Sequence, residues 1–542
     1  MNSNPIRSIE YSLDRKSELY LDLYLNITKQ HKFLFSNTQF KMKKNRFSIF
    51  TCAIFMLSIF LSGCTKEDEN DILNEKPNGN GTETPSKPKY DVYITINMPG
   101  TLSNNIPNES FKTIKISGDL NGTDIKALRS IMPYLSIIDL SDANIVEGGE
   151  SYFNITHKTT KDVIGTNMFA YLSGSFTLIL PKTAKYIDNY AFKKSTGLKE
   201  LQFSSNISSL GEEVFVECTK LTSITIPRGI TSIGNSCFQD CSSLSTIDIP
   251  SNLKTLGTSA FMDCKSLRTI EIPGTCSSIP DFCFKGCTSL QTVTLNEGVS
   301  SLEQYSFSGC SQLSSVNLPS SLSSIHNASF YNCSNLKRIV IPEKVYTLGI
   351  NAFHGAGLTE IELSESLYKI EDYALACKDL KKIRIKKNLN YLGFIPFAVQ
   401  GGGAAEYEVS EENKTFSTVD GVLTSKDQKT IIYYPTGRTD KSYTIPECIT
   451  KIGDAAFFYN TFIEEVFIPE SVTTIEERAF SLTKNLKVVH CKAKTPPSLG
   501  TKYNYQAFPD KTEILYVPAD AVQKYKSSLW SIYFLSIEAE TE

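Results

Sequence analysis

Six cysteines recur at one interval: Cys218, Cys241, Cys264, Cys287, Cys310 and Cys333 are each 23 residues apart. Thiols can form disulfides, ligate metals or attack as nucleophiles. One thiol per repeat would bring neighbouring Cα atoms to about 5 Å, within disulfide reach where the side-chain vectors agree. The same column, held at constant phase inside a stack of repeats, equally suits reduced thiols packed as small apolar groups. Reduced core thiols, disulfides between adjacent repeats and a metal site are therefore the three readings. No CxxC pair or Cys/His cluster with zinc spacing favours the metal. Cys237 and Cys283 fill a slot that is Ala191, Ala260 and Ala352 in other repeats, which argues for a small, buried position.

Other chemistry is sparse. GxSxG, HExxH and a glycine-rich phosphate loop after a strand are all missing. Of five histidines, His157, His326, His354 and His490 fall in different repeats or caps and read as polar surface or turn residues. A non-enzyme without a cofactor is expected. The formal net charge of −3 leaves no basic footprint for nucleic acid.

The elements that position these residues follow a longer lattice of the same period. Phe192, Phe215, Phe238, Phe261, Phe284, Phe307, Phe330 and Phe353 are spaced by 23, and Leu198 to Leu336 open successive units at the same step. A period of this size marks a solenoid, in which one unit cannot bury its apolar face alone and stacks on its neighbours. In the unit LTSITIPRGITSIGNSCFQDCSS, Leu221, Ile224 and Ile226 alternate with polar residues as a half-buried strand does, and Pro227 ends the ladder. Ile230 and Ile233 form a second apolar pair, Gly234 allows a bend, and Phe238 turns the chain inward. Each unit is one coil of a right-handed strand-turn spiral. At about 4.8 Å per strand the eight regular coils would span roughly 35–40 Å.

The pattern Leu-x-x-Ile-x-Ile-Pro-x-x-Ile-x-x-Ile-Gly-x-x-Ala-Phe-x-x-Cys resembles the BspA-like leucine-rich repeats of bacterial and protist surface proteins, from about Phe111 to Val517. The resemblance implies a mostly β leucine-rich-repeat solenoid and adhesion to host matrix proteins or other cells. The matching positions are the buried scaffold, so it carries over no ligand residue.

A second signal lies near the N-terminus. In MKKNRFSIFTCAIFMLSIFLSGC, from Met42, the basic residues Lys43, Lys44 and Arg46 precede an apolar stretch and the lipobox Leu61-Ser62-Gly63-Cys64. This resembles a lipoprotein signal, with lipid attached at Cys64. The acidic TKEDE that follows resembles the export tag of outer-membrane surface lipoproteins, so a cell-surface location is expected. Translation is expected to begin at Met42, making 1–41 an upstream extension. Residues 42–64 are then the signal, 65–89 a flexible linker, 90–172 an N-terminal cap with irregular repeats and 173–396 the regular solenoid. Residues 397–445 read as a hairpin insertion turning at Asp420-Gly421 and packing on the solenoid. Further repeats at 446–495 and a C-terminal cap at 496–542 complete the chain, with Trp530 plugging the last coil.

Binding is expected on the outward strand positions. Thr225, Asp248, Glu271, Thr294 and Asn317, with their hydroxyl neighbours, form a surface suited to hydrogen bonding with an extracellular protein or glycan; Thr is equally a good strand residue with a solvated side. Glu360 and Glu362 fall 22 residues before Lys382 and Arg384, which suggests ion pairs across coils. The basic run Lys381, Lys382, Arg384, Lys386 and Lys387 is also a candidate for a sulfated glycan. A glycan-capture lipoprotein would need exposed aromatic platforms, which these strand faces lack; a structural envelope protein would need no ligand. The protein is expected to be a monomer.

Overall fold

The computed structural model describes residues 89–500 and 506–541. The expected extension, signal, lipid-bearing Cys64 and nearly all of the linker lie outside them. No helix among the described residues is long and apolar enough to cross a membrane.

Each coil contributes a longer strand and a two-residue strand, and both kinds pair in parallel with strands of neighbouring coils. Ile224 and Ile233 of one coil meet Ile247 and Leu256 of the next in register. The short strands form ladders of five, from Val163–Ile164 to Thr255–Leu256, and six, from Ser278–Ile279 to Tyr391–Leu392. The longer strands pair in shorter groups, with breaks between Leu198–Gln202 and Ser223–Thr225 and between Glu360–Glu362 and Lys382–Ile385.

The phenylalanine lattice becomes a column of stacked rings. Phe238, Phe261, Phe284 and Phe307 sit 5.3 Å apart, centroid to centroid, and within 4° of parallel. The stack begins one coil earlier than the lattice, at Phe169, and a second stack runs through Tyr434, Phe457, Phe480 and Phe508. Two left-handed residues flank each ring from Phe169 to Phe353, such as Ser259 at φ 58° and Asp263 at φ 58° around Phe261, and these bends aim the ring inward.

The cysteine column lies beside the rings as free thiols. Every Sγ donates to the main-chain carbonyl of the previous coil's phenylalanine, from Cys218 to Phe192 at 3.2 Å through Cys287 to Phe261 at 3.1 Å and Cys333 to Phe307 at 3.2 Å. Ser195 does the same for Phe169 where the column begins. Burial pushes these thiols well above the ordinary thiol range, removing the reactive thiolate. Alkylation of the native protein is expected to modify exposed Cys448 and spare the buried thiols until the coils unfold. Peptide mass spectrometry checks this, and rapid labelling of Cys287 would contradict it.

At the N-terminal end, the helix Gly122–Ile131 is capped by Asn121, and the buried Asp124 carboxylate accepts the N–H groups of Gly100, Leu102 and Asn121. On the strand Ile137–Ile145, Asp139 accepts the Tyr90 hydroxyl at 2.5 Å and faces Lys115 at 3.3 Å. Burial alone would raise this carboxyl, but Tyr90, Ser141 and Lys115 outweigh burial and bring it down to about 2. Its contribution, about 2 kcal/mol, is present above pH 4 and lost as the pH falls towards 2. Asp139→Asn is expected to lower the urea midpoint at pH 7 and to flatten its fall below pH 4.

Residues 397–445 are spliced into the ladders of the solenoid. Glu406–Val409 pairs in parallel with Lys382–Ile385. Phe416–Val419 and Val422–Ser425 form the hairpin, with Asp420 and Gly421 both at positive φ, as a tight type I′ turn requires. A third strand, Thr430–Tyr433, pairs antiparallel with the hairpin and parallel with Lys451–Ile452, which restarts the short-strand ladder. The apolar core divides here: one cluster runs to Leu423, a second starts from Val422 and ends in the cap, and a small third, Ile395, Ala398 and Ala455, lies at the division.

Candidate functional site: the long-strand face

The outward positions of the longer strands form the surface that the sequence singled out. Alternation buries Ile224, Ile247, Ile270 and Val293 and leaves the residues on either side of each facing out. Thr225 lies in register with Asp248, and its hydroxyl donates to that carboxylate at 3.3 Å. Glu271, Thr294 and Asn317 form another row on three adjoining strands. Glu271 accepts the Asn296 amide at 3.0 Å. Asn317 accepts the Leu295 N–H at 2.8 Å and donates to the Leu295 carbonyl at 2.8 Å, so its amide serves the backbone ladder.

The two rows belong to separate ladders, and a break one coil earlier shapes the surface further. Because Leu198–Gln202 and Ser223–Thr225 do not pair, an open cleft of about 380 Å³ lies at their seam, lined by Glu200, Gln202, Ser204, Ser205, Ser223 and Thr225. It offers carboxylate, amide and hydroxyl groups beside the apolar Leu201, Phe203, Ile224 and Pro227, a mixed surface for hydrogen bonding and apolar contact. Among the described residues no three His, Cys, Asp or Glu side chains converge as metal ligands.

Lys382 and Arg384 stand apart, and their partners differ from those expected. Lys382 pairs with Glu406 at 2.8 Å and with Glu408, and Arg384 pairs with Glu408 at 2.9 Å. The ladder breaks between Glu360–Glu362 and the Lys382 strand, whereas the inserted strand lies in register with Lys382 and Arg384. Glu360 pairs backwards instead, with Arg338 at 3.9 Å. The hydrogen bonds that the Lys382 ammonium donates to Glu406 and Glu408 hold its pKa above the usual lysine range. Lys386 and Lys387 also face carboxylates, Glu365 at 3.3 Å and Glu412 at 3.8 Å, so four of the five cations of this run are paired.

His490 is more deeply placed than a surface or turn residue, whereas His354 lies in a turn. His490 is stacked between Phe467 at 4.2 Å and Tyr516 at 5.0 Å, with Nδ1 2.8 Å from Glu540 and Nε2 3.1 Å from Glu465. It joins the last coils, and because the rings lie plate on plate, their edges rather than their faces meet solvent. The signal was in the sequence: Phe467 and His490 are one repeat apart. His354 is stacked on Tyr331 at 5.3 Å, and burial lowers its pKa.

The family model described as the BspA type leucine rich repeat region matches this chain in six copies, over residues 162–290, 254–376, 305–400 and 437–512. No curated protein matches. Among solved structures, a leucine-rich repeat protein from Bacteroides ovatus is 18% identical, with 75% of this chain and 92% of that one covered at a TM-score of 0.47. A leucine rich cell surface protein from Faecalibacterium prausnitzii is 20% identical, covering 59% and 88% at a TM-score of 0.39. The pneumococcal vaccine antigen PcpA is 18% identical, covering 59% and 89% at a TM-score of 0.34.

Proposed function

This chain belongs to the BspA-type leucine-rich repeat family, and from that premise we propose that it is a non-catalytic, adhesin-like binding protein of the cell surface. In this reading it is a lipoprotein held by Cys64 in the outer membrane, and its long-strand face engages a host or microbial protein or glycan. One observation carries the reading: hydroxyl, amide and carboxylate side chains line an outward face that opens into a cleft where the ladder breaks. Thr225, Asp248, Glu271 and Thr294 are the contacts we assign, while Lys382 and Arg384 are engaged by Glu406 and Glu408.

The test labels intact and permeabilised cells with an antibody to the repeats, for wild type and Cys64→Ala. Staining of intact cells that is lost in Cys64→Ala supports the surface assignment. Staining seen only after permeabilisation ends it. Arrays of matrix proteins and glycans, read with wild type and a Thr225→Ala/Asp248→Ala variant, then test the face.

A further inference from the structure

The short-strand side of the coils carries a feature that the long-strand face lacks. One place ahead of each short strand, successive coils carry Ser277, Ser300 and Ser323. Tyr346 and Tyr368 then occupy this column, joined by a bond from the Tyr368 N–H to the Tyr346 carbonyl at 3.0 Å. Tyr391 follows in the adjoining column, in register with Lys369. These tyrosines are 53, 45 and 46% exposed. Coils on either side fold with Ser or Asn at the first column, so the fold does not require rings there.

None of the three rings is stacked on another aromatic ring among the described residues, unlike the buried Phe column or the Phe467–His490–Tyr516 stack. The faces of Tyr346 and Tyr368 are therefore not shared with a neighbouring ring. One face of Tyr391 carries the Lys369 ammonium, 4.5 Å from the ring centre, and Lys369 is paired with Glu371 at 2.7 Å. The charges at this end of the row cancel, while a donor and an acceptor remain beside the rings.

We propose that this row is a carbohydrate platform for a neutral pyranose chain. It lies on a different side of each coil from the long-strand face and goes beyond the function proposed above. Successive coils advance by about 4.8 Å, close to the advance of one pyranose unit along an extended glycan, so consecutive sugars meet consecutive tyrosines. The C–H face of a sugar lies on a tyrosine ring, and its hydroxyls reach the phenol groups, Lys369 and Glu371. Cancellation of charge matches a neutral polymer and favours neither a sulfated glycan nor a basic peptide.

Isothermal titration of the full-length protein tests this with neutral hexasaccharides of glucose, mannose, galactose and xylose, a sulfated hexasaccharide and hexalysine. At least one neutral hexasaccharide is expected to bind. Tyr346→Ser/Tyr368→Ser, which restores the residue type of the preceding coils, is expected to weaken binding by about tenfold or more. Its circular dichroism and melting should stay those of wild type, and Thr225→Ala/Asp248→Ala is titrated beside it. Absence of binding by all four neutral sugars at millimolar concentration would overturn the proposal. So would an unchanged affinity in the tyrosine variant, or equal or tighter binding of the sulfated sugar or hexalysine. Loss of binding in the Thr225/Asp248 variant alone would assign the sugar to the other face.

Discussion

Phe284→Ala is expected to destabilise the larger core by about 3–5 kcal/mol. The ring is fully buried between Phe261 and Phe307, each 5.3 Å away and almost parallel to it, so truncation opens a cavity shared by three coils. Relaxation is limited because the Phe284 carbonyl also accepts the Cys310 thiol at 3.1 Å, and the Phe284 N–H donates to Ser306 at 2.8 Å. Shifting the backbone to fill the void would break both contacts. Phe282→Ala, two residues away but half-buried, is the control and should cost about 1 kcal/mol. Urea denaturation followed by circular dichroism measures both, and equal losses in the two variants would contradict the ring-column account.

Trp530→Ala is expected to cost a similar 3–5 kcal/mol, but at the other end of the molecule. Trp530 is 1% exposed, packs on Phe508 and Tyr525 at 5.2 Å each, and donates its indole N–H to the Pro497 carbonyl at 3.0 Å. Truncation removes the ring that closes the second core and leaves that carbonyl without the indole donor. Solenoid coils couple mainly to their neighbours, and the core divides near Val422 and Leu423, so the loss should stay in the second cluster. Trp530→Ala should separate an early, C-terminal transition from the main one. In Phe284→Ala, conversely, the fluorescence of this single tryptophan should report a cap that melts close to its wild-type midpoint. Hydrogen exchange by peptide distinguishes this from one cooperative transition, which would contradict two cores.

Much of the fold was legible because the repeat is simple. Phe192 to Phe353 and Cys218 to Cys333 recur at a constant step, and a constant step means a constant place in the coil. The ring stack, the thiol column and the alternating strands follow from that. The candidate face was legible as a list of outward residues, but its chemistry was not. Asn317 reads as a free amide in the sequence and is a backbone clip in the structure. Counting 22 residues back pairs Lys382 and Arg384 with Glu360 and Glu362, whereas their carboxylates come from the inserted strand. The tyrosine row escaped because Tyr346, Tyr368 and Tyr391 are spaced by 22 and 23 and occupy two columns.

Which residues each coil buries follows from the amino-acid order alone, since burial depends on position within a 23-residue period and every coil presents the same apolar edge to the next. Tertiary structure alone decided what happens between coils: where the long-strand ladder breaks to open the cleft, how residues 397–445 join both ladders, and which carboxylate meets which cation. Those outcomes depend on register between strands separated by coils of unequal length, and one residue gained or lost in a turn moves a charge to a different neighbour. Periodicity fixes the phase of a residue within its own coil; only the packed chain fixes its phase relative to the coil beside it.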